Sequence, residues 1–378
     1  MTMRLKMDRE SLLKAVGRTL GVVDRRGTMP ILSHFLLEAQ DKRVAIAATD
    51  LEVSFRGFFP AEVIEPGALT LPAHYVHNLI KELPGDSLDL TGTESSNVKI
   101  QVGESHYQLL GLPADQFPPV PEVSDLTLVE VESPLLREMI DKTIFSVSVD
   151  DLQYHLSGIF WERRQEPDGY QLRLVSTDGH RLTLIQRPLP ASEQFAIEEG
   201  ILIPRKGVAE ISRLLGEEEK VGLGLSKKSL ALEANNKYLF IRLLEKKFPD
   251  YRRIVPESFA YRFAVSRQGL YETVRRISLL STERFRGVVL AFGQDTLEAT
   301  FQNPEVGEGR EVLPLTLEAG DVTELPIQIG FNFRYFLEPL SAMSGDTVFV
   351  ELNDKDRPCR LVQEKDPNYF AIIMPMSL

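Results

Sequence analysis

Three stretches of the chain place hydrophobic and polar residues in the same order. Residues 11–23 (SLLKAVGRTLGVV), 133–147 (SPLLREMIDKTIFSV) and 266–280 (SRQGLYETVRRISLL) carry apolar residues three and four apart, the spacing that lines one face of a helix. Leu12, Val16 and Leu20 make the first stripe; Leu136, Met139 and Ile140, with Thr143, the second; Leu270, Val274 and Ile277 the third. Strand-like segments follow each helix, over 34–59, 156–186 and 287–313. A second unit then recurs at 68–90, 200–225 and 327–352. Each of these reads as a short apolar strand, a helix opening at Pro72, Pro204 or Asn332, a polar turn and an alternating strand. Leu69, Leu202 and Ile327 open equivalent strands, so the repeat is of domain size. The pattern predicts an α+β fold of three tandem helix–strands–helix–strands copies, with more strand than helix.

Proline and charge cluster between the copies, at 111–125 (GLPADQFPPVPEVSD) and 247–259 (KKFPDYRRIVPESF), where proline favours an extended connector over a continuing helix. The expected domains are therefore 1–125, 126–256 and 257–378, in keeping with a length that exceeds one ordinary core. The last ten residues, YFAIIMPMSL, are apolar where chain ends are usually polar and frayed. That composition predicts a docked tail.

At 43% apolar and 26% charged residues the chain reads as soluble globular material. No signal-peptide core opens it and no run of about 18 apolar residues interrupts it, so a cytoplasmic protein without a membrane partner is expected. Cys359 is the single cysteine, which excludes a disulfide framework and a multi-thiolate metal site. A net charge of -12 argues against a uniformly basic surface. Positive charge nevertheless gathers on the polar sides of the helices, at Lys14, Arg18, Lys81, Arg137, Lys142, Arg205, Lys206, Arg213, Arg275, Arg276 and Arg334. Glu82, Glu138, Asp141, Glu210, Glu272 and Glu338 share those helices. Two readings stay open: a solvated surface of mixed charge, or a basic stripe that attracts DNA if equivalent helices face one way.

The stretch STDGHRL, 176–182, holds the most suggestive chemistry. Ser176, Asp178 and His180 could belong to a catalytic site, although triads are assembled from distant positions. The alternative is a tight turn in which Thr177 and Asp178 bond backbone amides and Gly179 supplies a positive φ. No phosphate-binding glycine loop, GxSxG elbow or HExxH helix occurs. Among six histidines only His74 and His77 have helical ligand spacing, without a further ligand nearby. No cofactor or metal is expected, and an enzyme using Asp178 and His180 lacks a visible nucleophile and pocket.

A set of motifs then narrows the reading: PIL at 30–32, ATDLE at 48–52, STDGHRL, IPRKGV at 203–208, FPDYRRIVP at 248–256, ERFRGV at 283–288 and the terminal MPMSL. Together they resemble the bacterial sliding clamps, the beta subunits of the DNA polymerase III holoenzyme, along the whole chain. The resemblance implies a head-to-tail homodimer closed into a ring, helices inside and sheets outside. Such a ring is a non-catalytic processivity factor that encircles duplex DNA and tethers partners. The implied partners are the replicative polymerase catalytic subunit, a clamp-loader ATPase, other polymerases and repair proteins. Sparse contacts from Lys and Arg to phosphate suit a tether that slides.

By the same resemblance a peptide cleft between the second and third domains is formed by Leu156, Thr177, Gly179, His180, Arg181 and Leu182, with Pro249, Arg253 and Ile254. Ile372, Met374, Pro375 and Met376 of the tail complete it, as an apolar groove with a polar rim in which methionines re-pack around different ligands. Arg181 and Arg253 are expected to bond ligand carbonyls or acidic groups. Arg26 matches a DNA-touching loop arginine. Leu279 and Leu280 are expected to meet the first domain's edge near Tyr107 and Leu109 in the dimer, the alternative being core packing at a helix end. Ser377 stands where the tail often has a basic residue, His74 and Tyr75 replace residues that are often basic near the subunit contact, and Asp150 stands where an uncharged DNA-contacting side chain is familiar, so no role is carried to them. A clamp-like scaffold that does not encircle DNA is the remaining rival, and the dimer contact separates the two.

Overall fold

The computed structural model describes residues 3–93, 96–121, 126–167, 169–189, 197, 200–216, 218–282 and 286–377. The expected boundary at 125, the start of ERFRGV at 283–285 and the terminal Leu378 lie outside the described residues. Six α-helices occur among them, two per repeat: α1 Arg9–Thr19, α2 Ala73–Glu82, α3 Ser133–Asp141, α4 Arg205–Leu215, α5 Arg267–Ser278 and α6 Phe333–Ala342. Strand outweighs helix, 47% to 24%.

The helices begin where local chemistry stops the strand. Asp8 caps α1 by accepting from Ser11 N, Ser266 caps α5 by accepting from Gly269 N, and Asn332 caps α6 by accepting from Arg334 N, each satisfying an amide that has no partner inside the helix. The stripes named from the sequence are the buried faces: Leu12 and Val16, Leu136, Met139 and Ile140, Leu270, Val274 and Ile277. α3 is shorter than its apolar pattern predicts. The Thr143 hydroxyl donates back to Met139 O at 2.8 Å and to Ile140 O, and the chain tightens into a 3-10 turn over Ile144–Ser146. The pattern ran on because that turn is also buried at Ser146 and Val147.

Two compact units result, one holding Met1–Pro134 with Lys206–Leu243, the other Leu135–Pro190 with Ile197–Arg205 and Leu244–Leu378. Each unit is held by a sheet that runs across a repeat boundary. In the first, the last strand of the middle copy, Lys237–Arg242, pairs antiparallel with Val53–Pro60 of the first copy, setting Tyr238 opposite Arg56. The same unit carries a separate five-stranded sheet ending at Ser105–Leu110. In the second, the last strand of the third copy, Asp366–Ile373, pairs with Arg181–Pro188 of the middle copy, setting Ile372 opposite Leu182. That junction extends a twelve-stranded sheet and brings the tail beside STDGHRL. Among the described residues no helix is long and apolar enough to cross a membrane.

Candidate peptide groove and charged faces

The STDGHRL stretch is a turn between the strands Gly169–Thr177 and Arg181–Pro188. Asp178 Oδ1 accepts from the amides of His180 and Arg181, both at 3.0 Å, and Thr177 Oγ1 accepts from Gly179 N while donating to Arg181 O at 2.6 Å. Gly179 has φ +86, the left-handed region in which a Cβ costs roughly 1 kcal/mol or more. Ser176 is buried and its hydroxyl serves Thr143 O and Thr183. The Ser176 and Asp178 side chains are thus engaged in the sheet and the turn, while His180 takes part through its backbone amide and its ring is exposed. The first copy builds the same turn: Asp50 Oδ1 accepts from Glu52 and Val53 amides, Thr49 Oγ1 from Leu51 N, and Leu51 has φ +75.

Beneath this turn lies an apolar cluster of Leu156, Val175, Leu182, Leu184, Leu202, Phe248, Tyr251 and Ile372, flanked by the half-buried Phe160, Leu244, Val255 and Phe370. Phe160 and Phe248 stack with centroids 4.9 Å apart. The tail crosses the edge of the cluster. Met374 N donates to His180 O at 2.9 Å and Met376 N to Gly330 O at 2.9 Å, so backbone bonds fix the path along which Met374, Pro375 and Met376 emerge, the first two half-buried and Met376 exposed. Pro249 is half-buried, and Arg253 and Ile254 are exposed on the 3-10 turn that follows Phe248. Every residue expected of the cleft is therefore in one unit; Leu156, Thr177, Leu182 and Ile372 are buried and the others half-buried or exposed.

Two arginines expected to greet a ligand behave differently. Arg181 is spent internally: its Nε donates to Asp178 Oδ2 at 3.0 Å, it also pairs with Glu338 and the Phe145 carbonyl, and its guanidinium lies 4.7 Å over the Tyr335 ring. It braces the rim and offers no open guanidinium. Arg253 has 86% of its side chain exposed and pairs with Asp250 at 3.3 Å. Sequence reasoning missed the support under FPDYRR. The Tyr251 hydroxyl donates to the buried Glu162 carboxylate and accepts from Arg173 Nη1 at 3.0 Å. Burial first, and Glu162 second, push this phenol above its ordinary pKa, so it remains a donor. Tyr251→Phe is expected to destabilise the fold by about 1–3 kcal/mol, because a buried carboxylate loses a partner. Urea unfolding that leaves the midpoint unchanged would contradict this role.

The three domains described for the DNA polymerase III beta subunit, N-terminal, central and C-terminal, match residues 3–121, 130–250 and 252–377. This chain belongs to the DNA polymerase III beta subunit family. A beta sliding clamp of Pseudomonas putida is 32% identical over 378 residues, covering 100% of both chains. The Caulobacter crescentus beta sliding clamp, crystallised with polyethylene glycol at a region assigned to beta-motif tethering, superimposes with a TM-score of 0.93 at 32% identity over 100% of this chain and 99% of that one. A Bartonella birtlesii sliding clamp bound to griselimycin gives 0.92 at 30% identity, with 100% of both chains covered. The beta subunit fold is thus three tandem clamp domains of mixed helix and sheet.

In this beta subunit the basic residues of the helices divide sharply. Lys142 is buried, bonded to Glu138 at 2.7 Å and Asp366 at 3.5 Å, and stands 4.9 Å over the Tyr369 ring. Arg187 closes the same cluster through Glu138 Oε1 at 2.7 Å. The expectation that Lys142 faces DNA is corrected: its charge is neutralised inside the protein. Lys206 is likewise held by the Val22 carbonyl at 2.8 Å and the Asp50 carboxylate. Arg18 donates to Arg213 O at 3.0 Å, Arg213 pairs with Glu210 at 2.7 Å, Lys14 with Glu10 at 2.8 Å and Arg137 with Asp141 at 3.7 Å. Arg26, Lys81 and Arg205 are exposed.

Of the residues expected at a dimer contact, Tyr107 and Leu109 lie on an edge strand of the five-stranded sheet, and Leu279 and Leu280 at the end of α5. Leu279 is 78% exposed at the end of α5 and Leu110 is 73% exposed on Ser105–Leu110, beside the exposed Tyr107 and half-buried Leu109. Leu280 is half-buried and would lie 3.0 Å from a Cβ placed on Gly309. Core packing does not account for Leu279.

Proposed function

We infer that this chain is a DNA polymerase processivity factor, a clamp that tethers partners through the groove under STDGHRL. The observation that carries the reading is the apolar cluster under the turn, bordered by exposed Ile254 and Met376, at the place where the third copy's tail is hydrogen-bonded to the middle copy's turn. A linear peptide with apolar side chains fits such a floor, and the flexible Met374 and Met376 suit several ligands. Leu156, Thr177, Gly179, His180, Leu182, Pro249, Arg253, Ile254, Ile372, Met374, Pro375 and Met376 form it, with Arg253 as the open rim donor. The occupants are the replicative polymerase catalytic subunit, a clamp-loader ATPase, other polymerases and repair proteins. The chain works without catalysis of its own: the Ser176 hydroxyl is tied to Thr143 and Thr183, and Asp178 to the turn amides and Arg181.

The same reading makes the working form a ring-shaped homodimer around duplex DNA in the cytoplasm, with domains at 1–125, 126–256 and 257–378. Sheet topology supports the closure. The last strand of the middle copy joins the first copy, and the last strand of the third joins the middle. The last strand of the first copy, Ser105–Leu110, and the third-copy stretch 307–313 are left as edges among the described residues. Applying the same junction once more pairs the two edges between two copies, head to tail, with Tyr107 and Leu109 on one side and Leu279 and Leu280 on the other. Arg26, Lys14, Arg18, Lys81, Arg137, Arg205 and Arg213 supply DNA contacts. Light scattering is expected to give about twice the 42.7 kDa chain mass at micromolar concentration, and Leu279→Asp with Tyr107→Asp to return it to the single-chain mass, because charge would be buried unpaired. A wild-type monomer would remove the ring and leave the scaffold.

A further inference from the structure

A cleft of about 470 Å³ opens beside the end of α1, lined by Lys14, Gly17, Arg18, Leu20, Gly21, Arg25, His74 and Arg213. Four cations and a histidine border it, and among the described residues no carboxylate is in the lining. The nearby carboxylates are paired with two of these cations, Glu10 with Lys14 and Glu210 with Arg213, and Glu210 lies against Gly21 of the lining. The glycines make room: a Cβ on Gly21 would fall 1.7 Å from an Arg213 nitrogen and 2.0 Å from Glu210 Oε1. All of these residues belong to one compact unit.

The Arg25 guanidinium lies against both ring nitrogens of His74. A guanidinium only donates, and a neutral imidazole offers one lone pair, so the pair is half-satisfied; a protonated imidazole would offer none. The cleft around it holds the cations Arg25, Lys14, Arg18 and Arg213, with His77 on its own helix, and Glu10 and Glu210 are paired with Lys14 and Arg213. Burial first, then Arg25 and His77, hold His74 below the ordinary histidine pKa. An anion in the cleft reverses this balance, because its oxygens accept from both Arg25 and a protonated His74.

We propose that this cleft seats one backbone phosphate of duplex DNA and takes up a proton on His74 as it does so. The proposal rests on the DNA-encircling reading and adds a proton linkage to it. The phosphate raises the His74 pKa, so contact strengthens as pH falls and weakens as pH rises through the DNA-bound value; one unit of difference between the two states corresponds to about tenfold in affinity.

Anisotropy of a short linear duplex, in low salt and phosphate-free buffer from pH 5.5 to 8.0, tests it on the full-length protein. Wild type is expected to lose affinity several-fold across that range, His74→Gln to give a profile flatter by that amount, and His77→Gln to retain the slope. The histidine Cε1 resonance of His74 should titrate at higher pH with the duplex present, a readout that a structural role would not move. A slope that persists in His74→Gln, or an unmoved titration, overturns the proton linkage while duplex binding leaves the clamp reading standing. Absence of duplex binding at every pH overturns the phosphate seat and leaves the clamp reading to the comparison of circular with linear DNA. A His74 titration that moves with sulfate but not with the duplex overturns the phosphodiester assignment in favour of a free anion.

Discussion

Protein loaded by a clamp-loader ATPase onto nicked circular duplex is expected to remain on it through a wash in about 1 M salt, and to be lost once the circle is cut. At that ionic strength the Debye length falls to about 3 Å. A protein held by several phosphate contacts loses roughly 10³–10⁵ in affinity between 50 and 200 mM salt alone. The open cations here are few, since Lys142 and Lys206 are consumed by Glu138, Asp366 and Asp50, so charge by itself cannot retain the protein on either DNA form. A closed ring is indifferent to salt and sensitive only to DNA ends. Gel filtration of labelled protein with circular and linearised plasmid reads the difference, expected to exceed tenfold. Equal loss from both forms would leave a partner scaffold in place of a topological tether.

Deleting residues 374–378 is expected to reduce affinity for an apolar linear peptide by about 100-fold or more while the dimer mass stays unchanged. Burying a methionine side chain contributes about 1.5–3 kcal/mol, and the deletion removes both Met374 and Met376 together with the backbone bonds to His180 and Gly330. Two such contributions exceed the 2.7 kcal/mol that a 100-fold change requires. The strand Asp366–Ile373 ends before the deletion, and the edges at Ser105–Leu110 and 307–313 do not include the tail, so dimerisation serves as the control. Calorimetry with an unchanged dissociation constant would place the docking surface elsewhere.

Much of this site was legible in the order of residues. A Thr-Asp pair followed by Gly predicts amides bonded to the Asp carboxylate and a left-handed third position, and Asp178 and Gly179 adopt that geometry. The homologous Leu51 adopts a positive φ without being glycine, which the local sequence does not announce, because the strain is offset by Asp50 bonds and the strand pairing on either side. The polar foundation of the groove was not legible either. Glu162 and Arg173 lie on neighbouring strands, and their meeting with Tyr251, about ninety positions from Glu162, depends on how the chain returns after α4.

By itself the sequence determined that three like copies follow one another, which face of each helix is buried and where the tight turns fall. Those properties belong to contiguous residues and their periodicity. Tertiary structure decided which charges act outward. Lys142 meets Asp366 across 224 positions, Lys206 meets Asp50 across 156 and Arg181 meets Glu338 across 157. Sequence order carries no information about pairs so distant, because an ion pair depends on the register of strands from different copies. It also decided that the third copy's tail lies against the middle copy's turn, which turns a loop with a suggestive Asp and His into the wall of a groove.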